Sequence, residues 1–464
     1  MFTLVAKRRR ADAATAEAAV AVTNKNKERR QRAMAAAATL LGTAPLAQAV
    51  TSPAKVSEPL ASPGPWTWDT SFMQYSESER ISVSEPQIGV RRNLGDDRAL
   101  TILATVDTIS GATPLGTLPA TQNTVPHTMT SPSGHPINPD IGRVPTSHMA
   151  DTRLALNSSY QRPLGSAYVG TFDGNVSKEH DFLSLGAAAG LDRFFNRKNT
   201  TLSIGLSPEY DIITPNGGMP LAYATQLAPG EFQGGRSTKY VLGALVGLTQ
   251  IINERTLMQW NYSPTYENGY LNDPYKLLSL VNTQGDPLSA IHEKRPGSRL
   301  QHSYYWLTRY NYRDHDVFSL GLRYFADNWG IHSQTLDFTY RWQYHPQRFL
   351  EPHVRYYHQT AADFFRVGLL NGQALPDAAS ADYRLNAIDG VTFGIRFGWT
   401  LHNGSELILR AEYYTQTGES SPNSAIGDQR SFDLFPTLHA SILQIQYSFD
   451  PNRFFEKKKP SLSR

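Results

Sequence analysis

Polar and apolar side chains take turns along much of the chain. In "FADNWGIHSQTLDFTYRWQYH" (325–345), Leu336, Phe338, Tyr340 and Trp342 share one face, and Thr335, Asp337, Thr339 and Arg341 the other. "VTFGIRFGWTL" sets Val391, Phe393, Ile395, Phe397, Trp399 and Leu401 against Thr392, Gly394, Arg396, Gly398 and Thr400. A period of two with one apolar face is that of a β-strand. About sixteen strands are predicted, at roughly 66–75, 80–92, 98–110, 150–161, 165–177, 181–193, 199–210, 236–250, 254–266, 300–313, 316–327, 332–344, 348–360, 386–401, 404–416 and 437–449. Pro86 interrupts the second segment, so the count carries a range of 14–18.

The connections separate a soluble sandwich from a membrane barrel. Every even-to-odd connection is short, while the odd-to-even ones include all the long ones, near 111–149, 211–235, 267–299, 361–385 and 417–436. With the N-terminus taken as periplasmic, short periplasmic turns and long external loops are the layout of an outer-membrane barrel. The expected fold is therefore all-β: one transmembrane antiparallel β-barrel over 66–449, with lipid outside and a hydrated lumen inside. A closed sheet is required, because an open edge in hydrocarbon leaves backbone groups unpaired at several kcal/mol each. "LQIQYSF" at the end of the last strand resembles the aromatic-terminated signal read by the barrel-assembly machinery.

Composition narrows the function classes. Charged residues make up 18% and no cysteine occurs, which excludes disulfides, thiolate zinc sites, iron–sulfur clusters and covalent haem. No cofactor is implied. The net charge of +3 is concentrated in residues 1–49, which hold nine Lys/Arg and three Asp/Glu; the rest carries 35 against 38, mildly acidic and a poor match for nucleic acid. Residues 1–49 resemble an export signal with a long n-region: "KERRQR", the short apolar "AMAAAATLLGTAPL", and "AQA" with cleavage expected after Ala49. Residues 50–65 read as a periplasmic linker and 450–464 as a basic tail.

Strand parity points Arg309, Arg323, Asp337, Arg341, Arg355, Arg396, Arg410 and Glu412 into the lumen, joined by Asp327 and Glu406. Such residues either stack into a ladder that acts on a permeating solute or cross-link the wall. The histidines show no metal-ligand spacing. His439 and Ser441, two apart on one strand face, are the basis for a third expectation, an outer-membrane hydrolase. The weight of the residues is against an enzyme.

Four blocks, "YENGYLNDPYK" (266–276), "RPGSR" (295–299), "LRYFADNWGIHSQTLDF" (322–338) and "VRYYHQTAADFF" (354–365), resemble the bacterial domain of unknown function 3570 (DUF3570). That resemblance covers most of 60–449 and implies an exported Gram-negative protein, an outer-membrane barrel with no settled activity. It also implies genes beside a small lipoprotein and a flavin-transferring enzyme. On the strand map these blocks converge at the external mouth. Glu267, Asn268, Tyr270, Asp273, Tyr275, Lys276, Arg295, Arg299, Asp327, Asn328, Trp329, His332, Gln359 and Asp363 are thus candidates for one mouth site. The alternative is that they lock the loop, with Asp and Asn capping turns, Arg paired to carboxylates and Trp329 anchored at the interface. The expected function is an outer-membrane pore or transport channel for small solutes. The alternative function is a non-conducting docking scaffold for a periplasmic or lipoprotein partner in an extracytoplasmic redox system. Partners common to both are outer-membrane lipid and the assembly machinery.

Overall fold

The computed structural model describes residues 64–122, 129–130, 136–137, 140–225, 235–313 and 315–451. The signal peptide with its cleavage after Ala49, nearly all of the linker and most of the basic tail lie outside those residues.

The first four barrel strands are β1 (Trp66–Glu77), β2 (Ile81–Gly95), β3 (Arg98–Pro114) and β4 (Thr146–Pro163). Next come β5 (Tyr168–Lys178), β6 (Phe182–Phe195), β7 (Thr200–Ile213) and β8 (Ser237–Asn253). Then follow β9 (Thr256–Gly269), β10 (Ser298–Arg313), β11 (Asp316–Asp327) and β12 (His332–His345). The last are β13 (Arg348–Gln359), β14 (Ile388–Thr400), β15 (Glu406–Gly418) and β16 (Leu438–Phe449). Each pairs antiparallel with its chain neighbours, and β1 closes on β16 from Trp68↔Phe449 to Glu77↔Ala440. Every predicted segment falls on one of these strands.

Two details differ from the sequence reading. β9 runs on to Gly269, because Glu267↔Arg299 and Asn268↔Ser298 continue the ladder to β10; both residues were expected in the loop. β2 survives Pro86 by breaking one side of its pairing. The β2–β3 register passes from Ser84↔Thr108 to Gln87↔Thr105, while Phe72↔Pro86 holds on the β1 side. A residue without an N–H can lose only its own ladder bond.

Leu154, Leu206, Val246, Trp306, Phe393 and Leu443 are all exposed on the outer face. Alternate positions carry the charged residues inward. At the short-turn rim, Trp68 stacks on Phe449 with centroids 6.5 Å apart, and Arg348 lies 4.9 Å over Trp399. All five long connections, 115–145, 214–236, 270–297, 360–387 and 419–437, leave from the other rim.

The long connections pack together. Leu277–Val281 pairs antiparallel with Pro287–His292 and parallel with Gly368–Leu370. Leu118, Val281, Trp329, Phe364, Leu385 and Ala425 share one buried apolar cluster drawn from four long loops and the β11–β12 turn. Leu277 donates its N–H to the Leu115 carbonyl at 2.9 Å, and Tyr275 donates its hydroxyl to Asp181 in the β5–β6 turn. A loop that leaves β9 reaches the end of β3, six strands away around the ring. It therefore crosses the opening, and the loops form a cap.

Candidate functional site

The charged lumen wall runs over β10–β15, where adjacent strands place alternate side chains side by side. Asp337 sits opposite Arg355, which binds it at 2.6 Å. His353 lies between Asp337 at 3.1 Å and Glu412 at 2.8 Å, and Glu412 also takes Arg410 at 2.6 Å. Nearer the short-turn rim, Glu351 accepts from Arg341 at 2.6 Å and from Arg396 at 3.1 Å. Arg323 donates to the Ser303 hydroxyl at 3.1 Å. The Arg309 Nε has no partner among the described residues.

All eight lumen-lining residues taken from the sequence therefore stand on one stretch of wall. Two of its members, Glu351 and His353, were missed, although they sit four and two positions from Arg355 on the same face of β13. The opposite arc, β2–β8, carries an acidic set that the sequence reading passed over. Asp107 binds Arg153, Asp192 accepts from Ser203 at 2.5 Å, and Asp211 lies 3.0 Å from Lys239. The lumen thus has an arginine-rich side and a carboxylate-rich side.

The mouth residues divide. Asp273, Lys276 and Arg295 meet in the cap, together with Glu293, Asp382 and Arg384, which the sequence did not flag. Arg295 bridges Glu293 at 2.6 Å and Asp382 at 2.8 Å; Arg384 bridges Asp382 and Asp273, each at 2.6 Å. Lys276 gives its ammonium to the Pro114 carbonyl at 2.5 Å, and Ser380 donates to Glu293. Burial opposes ionisation of Asp382, but Arg384, Lys276 and Arg295 outweigh it and hold the carboxyl well below the usual carboxylate range. Asp273 is lowered by the same contest of burial against Arg384 and Lys276. For Glu293 burial wins over Arg295 and the carboxyl is raised; for Lys276 burial wins and the ammonium is lowered.

A second group forms a turn lock. Asp327 binds Arg299 at 2.5 Å and accepts the N–H of Trp329 and of Ile331, each at 2.9 Å. Asn328 accepts from Leu300 N–H at 2.8 Å, and Asp363 donates its N–H to the Trp329 carbonyl at 2.8 Å. Arg299 lies 4.4 Å over the Trp329 ring. Trp329 is 3% exposed and packs edge-on to Phe364, so it is a core residue of the cap and not the interfacial anchor expected. Gln359 donates to the carbonyls of Arg384 and Asn386, each at 3.0 Å, tying β13 to the cap.

The remaining candidates stand apart. Glu267 accepts from Gln301 at 2.8 Å on the inner face. Asn268 and His332 are exposed on the outer parity, His332 against the Tyr324 hydroxyl at 3.1 Å, so neither joins a common mouth site. Tyr270 has a buried hydroxyl pushed up, outside the normal phenol range, by burial and then by Glu293 and Asp273. Elsewhere, ligand atoms of Asp151, Glu179 and Asp181 come within 4.8 Å of one another. His439 stacks on Tyr413 at 5.8 Å and faces the Thr415 hydroxyl at 3.3 Å, while Ser441 beside it is exposed.

An apolar outer belt, a ladder without edges and a charged interior define a membrane-spanning β-barrel. The chain belongs to the family described as "Protein of unknown function (DUF3570)", whose match covers residues 30–449. Among solved structures, it is similar to the ferric enterobactin receptor of Pseudomonas aeruginosa (10% identity, TM-score 0.41), with 82% of this chain and 60% of that one covered. CdiB from Acinetobacter baumannii gives 10% identity and TM-score 0.42, over 83% of this chain and 60% of that one. The outer membrane protein opdK of Pseudomonas aeruginosa gives 10% and 0.38, over 83% and 98%. The chain spans about 60% of the length of the first two. No curated protein matches it in sequence.

Proposed function

We propose that the protein is a pore or transport channel for small solutes in the outer membrane of a Gram-negative bacterium, with the cap at its external mouth. The observation that carries this reading is the charged inner wall, where Arg309, Arg323, Arg341, Arg355, Arg396 and Arg410 outnumber the bridging carboxylates Asp337, Glu351 and Glu412 of the same wall. A wall built only for cohesion has no need of an arginine such as Arg323, which donates to the Ser303 hydroxyl and bridges no carboxylate among the described residues, and charged linings are how pores select solutes. The test is single-channel conductance of the refolded protein beside Arg323→Ala and Arg355→Ala. Conductance whose ion selectivity moves toward cations in both variants supports the reading.

The cap favours a second reading. A packed apolar core and a buried ion network across one opening suit a non-conducting scaffold whose partner docks on the cap or at the periplasmic side. A small lipoprotein is the partner this reading would take. A folded barrel that stays silent in the bilayer, and conducts only after cap residues 277–292 are removed, favours the scaffold.

A further inference from the structure

The lowest row of the arginine wall is short of carboxylates. Glu351 bridges both Arg341 and Arg396, and Arg309 interacts electrostatically with the same three groups. Arg309 Nε, Arg396 Nε and Arg396 Nη2 are buried and without a hydrogen-bond partner among the described residues. Arg341 and Arg396 share a floor, the Phe349 ring, at 4.0 and 5.6 Å. Glu406 also acts on Arg396, more weakly than Glu351 does. The Arg341 side chain keeps 25% of its surface open, so the row is reached from the lumen.

Guanidinium groups placed over one ring and paired to one carboxylate are a geometry for planar oxyanions. We infer that Arg309, Arg341 and Arg396 form a binding site for the carboxylate or phosphate group of a small anionic solute. This rests on reading the lumen as a solute path. Glu351 acts as the built-in competitor: it holds two of the forks, keeps the row folded when no solute is there, and weakens capture enough for the solute to leave.

The test is calorimetric titration of the detergent-purified protein with succinate and, separately, inorganic phosphate, with heat-modifiable gel mobility as the check on folding. The expected result is binding of at least one probe, weakened about tenfold by Arg309→Gln or by the charge-keeping Arg396→Lys, and tightened by Glu351→Gln. The preferred probe tells carboxylate from phosphate. A wall that is only cross-linked gives no binding in wild type or in Glu351→Gln, and that result overturns the inference. So does binding that Arg309→Gln and Arg396→Lys leave unchanged. Binding without bilayer conductance sinks the channel reading and leaves the site standing.

Discussion

Arg384 reaches Asp273 at 2.6 Å although 111 residues separate them, and the same guanidinium holds Asp382. This contact joins the β9–β10 loop to the β13–β14 loop. Asp382 is the centre of the arrangement: 1% exposed, shared by Arg384 and Arg295. Removing one member of a buried pair costs about 3–5 kcal/mol because the other charge stays buried. Asp382→Asn is therefore expected to loosen the cap and spare the barrel. Hydrogen exchange reads this directly: amides of 277–281 and 287–292 lose protection while those of β12 keep it. Equal loss in both would show that cap and barrel unfold as one.

The signs of the pKa shifts set the pH response of the cap. Asp273 and Asp382 are lowered, so their stabilisation is complete above the ordinary aspartate value of about 3.9 and is lost as pH falls through their depressed folded values. Glu293 is raised and works the other way: its contribution is complete below about 4.3 and is lost as pH rises through its folded value. Cap protection is expected to hold from neutral pH down to about pH 4 and to collapse in stronger acid. At pH 7, Glu293→Gln, which imitates the protonated form, should cost less than Asp382→Asn. Collapse already near pH 6 would contradict the pairing described.

The barrel was legible because each strand carries its own evidence. Phe393, Ile395 and Phe397 announce a lipid face without reference to any other strand. The ladder at Asp337 and Arg355 followed from parity alone, and Glu351 and His353 could have been added by the same rule. The cap was not legible. Its core is assembled from short pieces such as "LLSLV" (277–281), too brief for a period, and its ion pairs join residues 87 and 111 apart. Trp329 shows the difficulty at one residue: a tryptophan in a tight rim turn suits the interface equally well until Leu118 and Phe364 are seen to cover it.

Orientation follows from a pair of exposed positions at opposite ends. Thr283 is exposed in the cap and Asn403 in the β14–β15 turn. The chain has no cysteine, so each can be replaced singly without background. With the cap outside, Thr283→Cys reacts with a membrane-impermeant maleimide on intact cells and Asn403→Cys reacts only after permeabilisation. The reverse pattern would invert the barrel.

Gly398 on β14 leaves room for the ring of Phe349 across the strand pair. A Cβ at Gly398 would lie 1.9 Å from the ring's Cε1, so any larger residue must push the ring away. Phe349 is 8% exposed and is the surface on which Arg341 and Arg396 rest, so it has little space to yield. Overpacking of this kind costs about 1–3 kcal/mol. Gly398→Ala is thus expected to lower the temperature at which the barrel loses its compact gel mobility. Because the clash is with the ring itself, Phe349→Leu in the same chain should recover most of the loss, so the two changes are strongly non-additive. The double variant should nevertheless keep an altered ion selectivity, since its arginines have lost the aromatic ring beneath them. If the losses in thermal stability simply add, the ring is not what the new β-carbon meets.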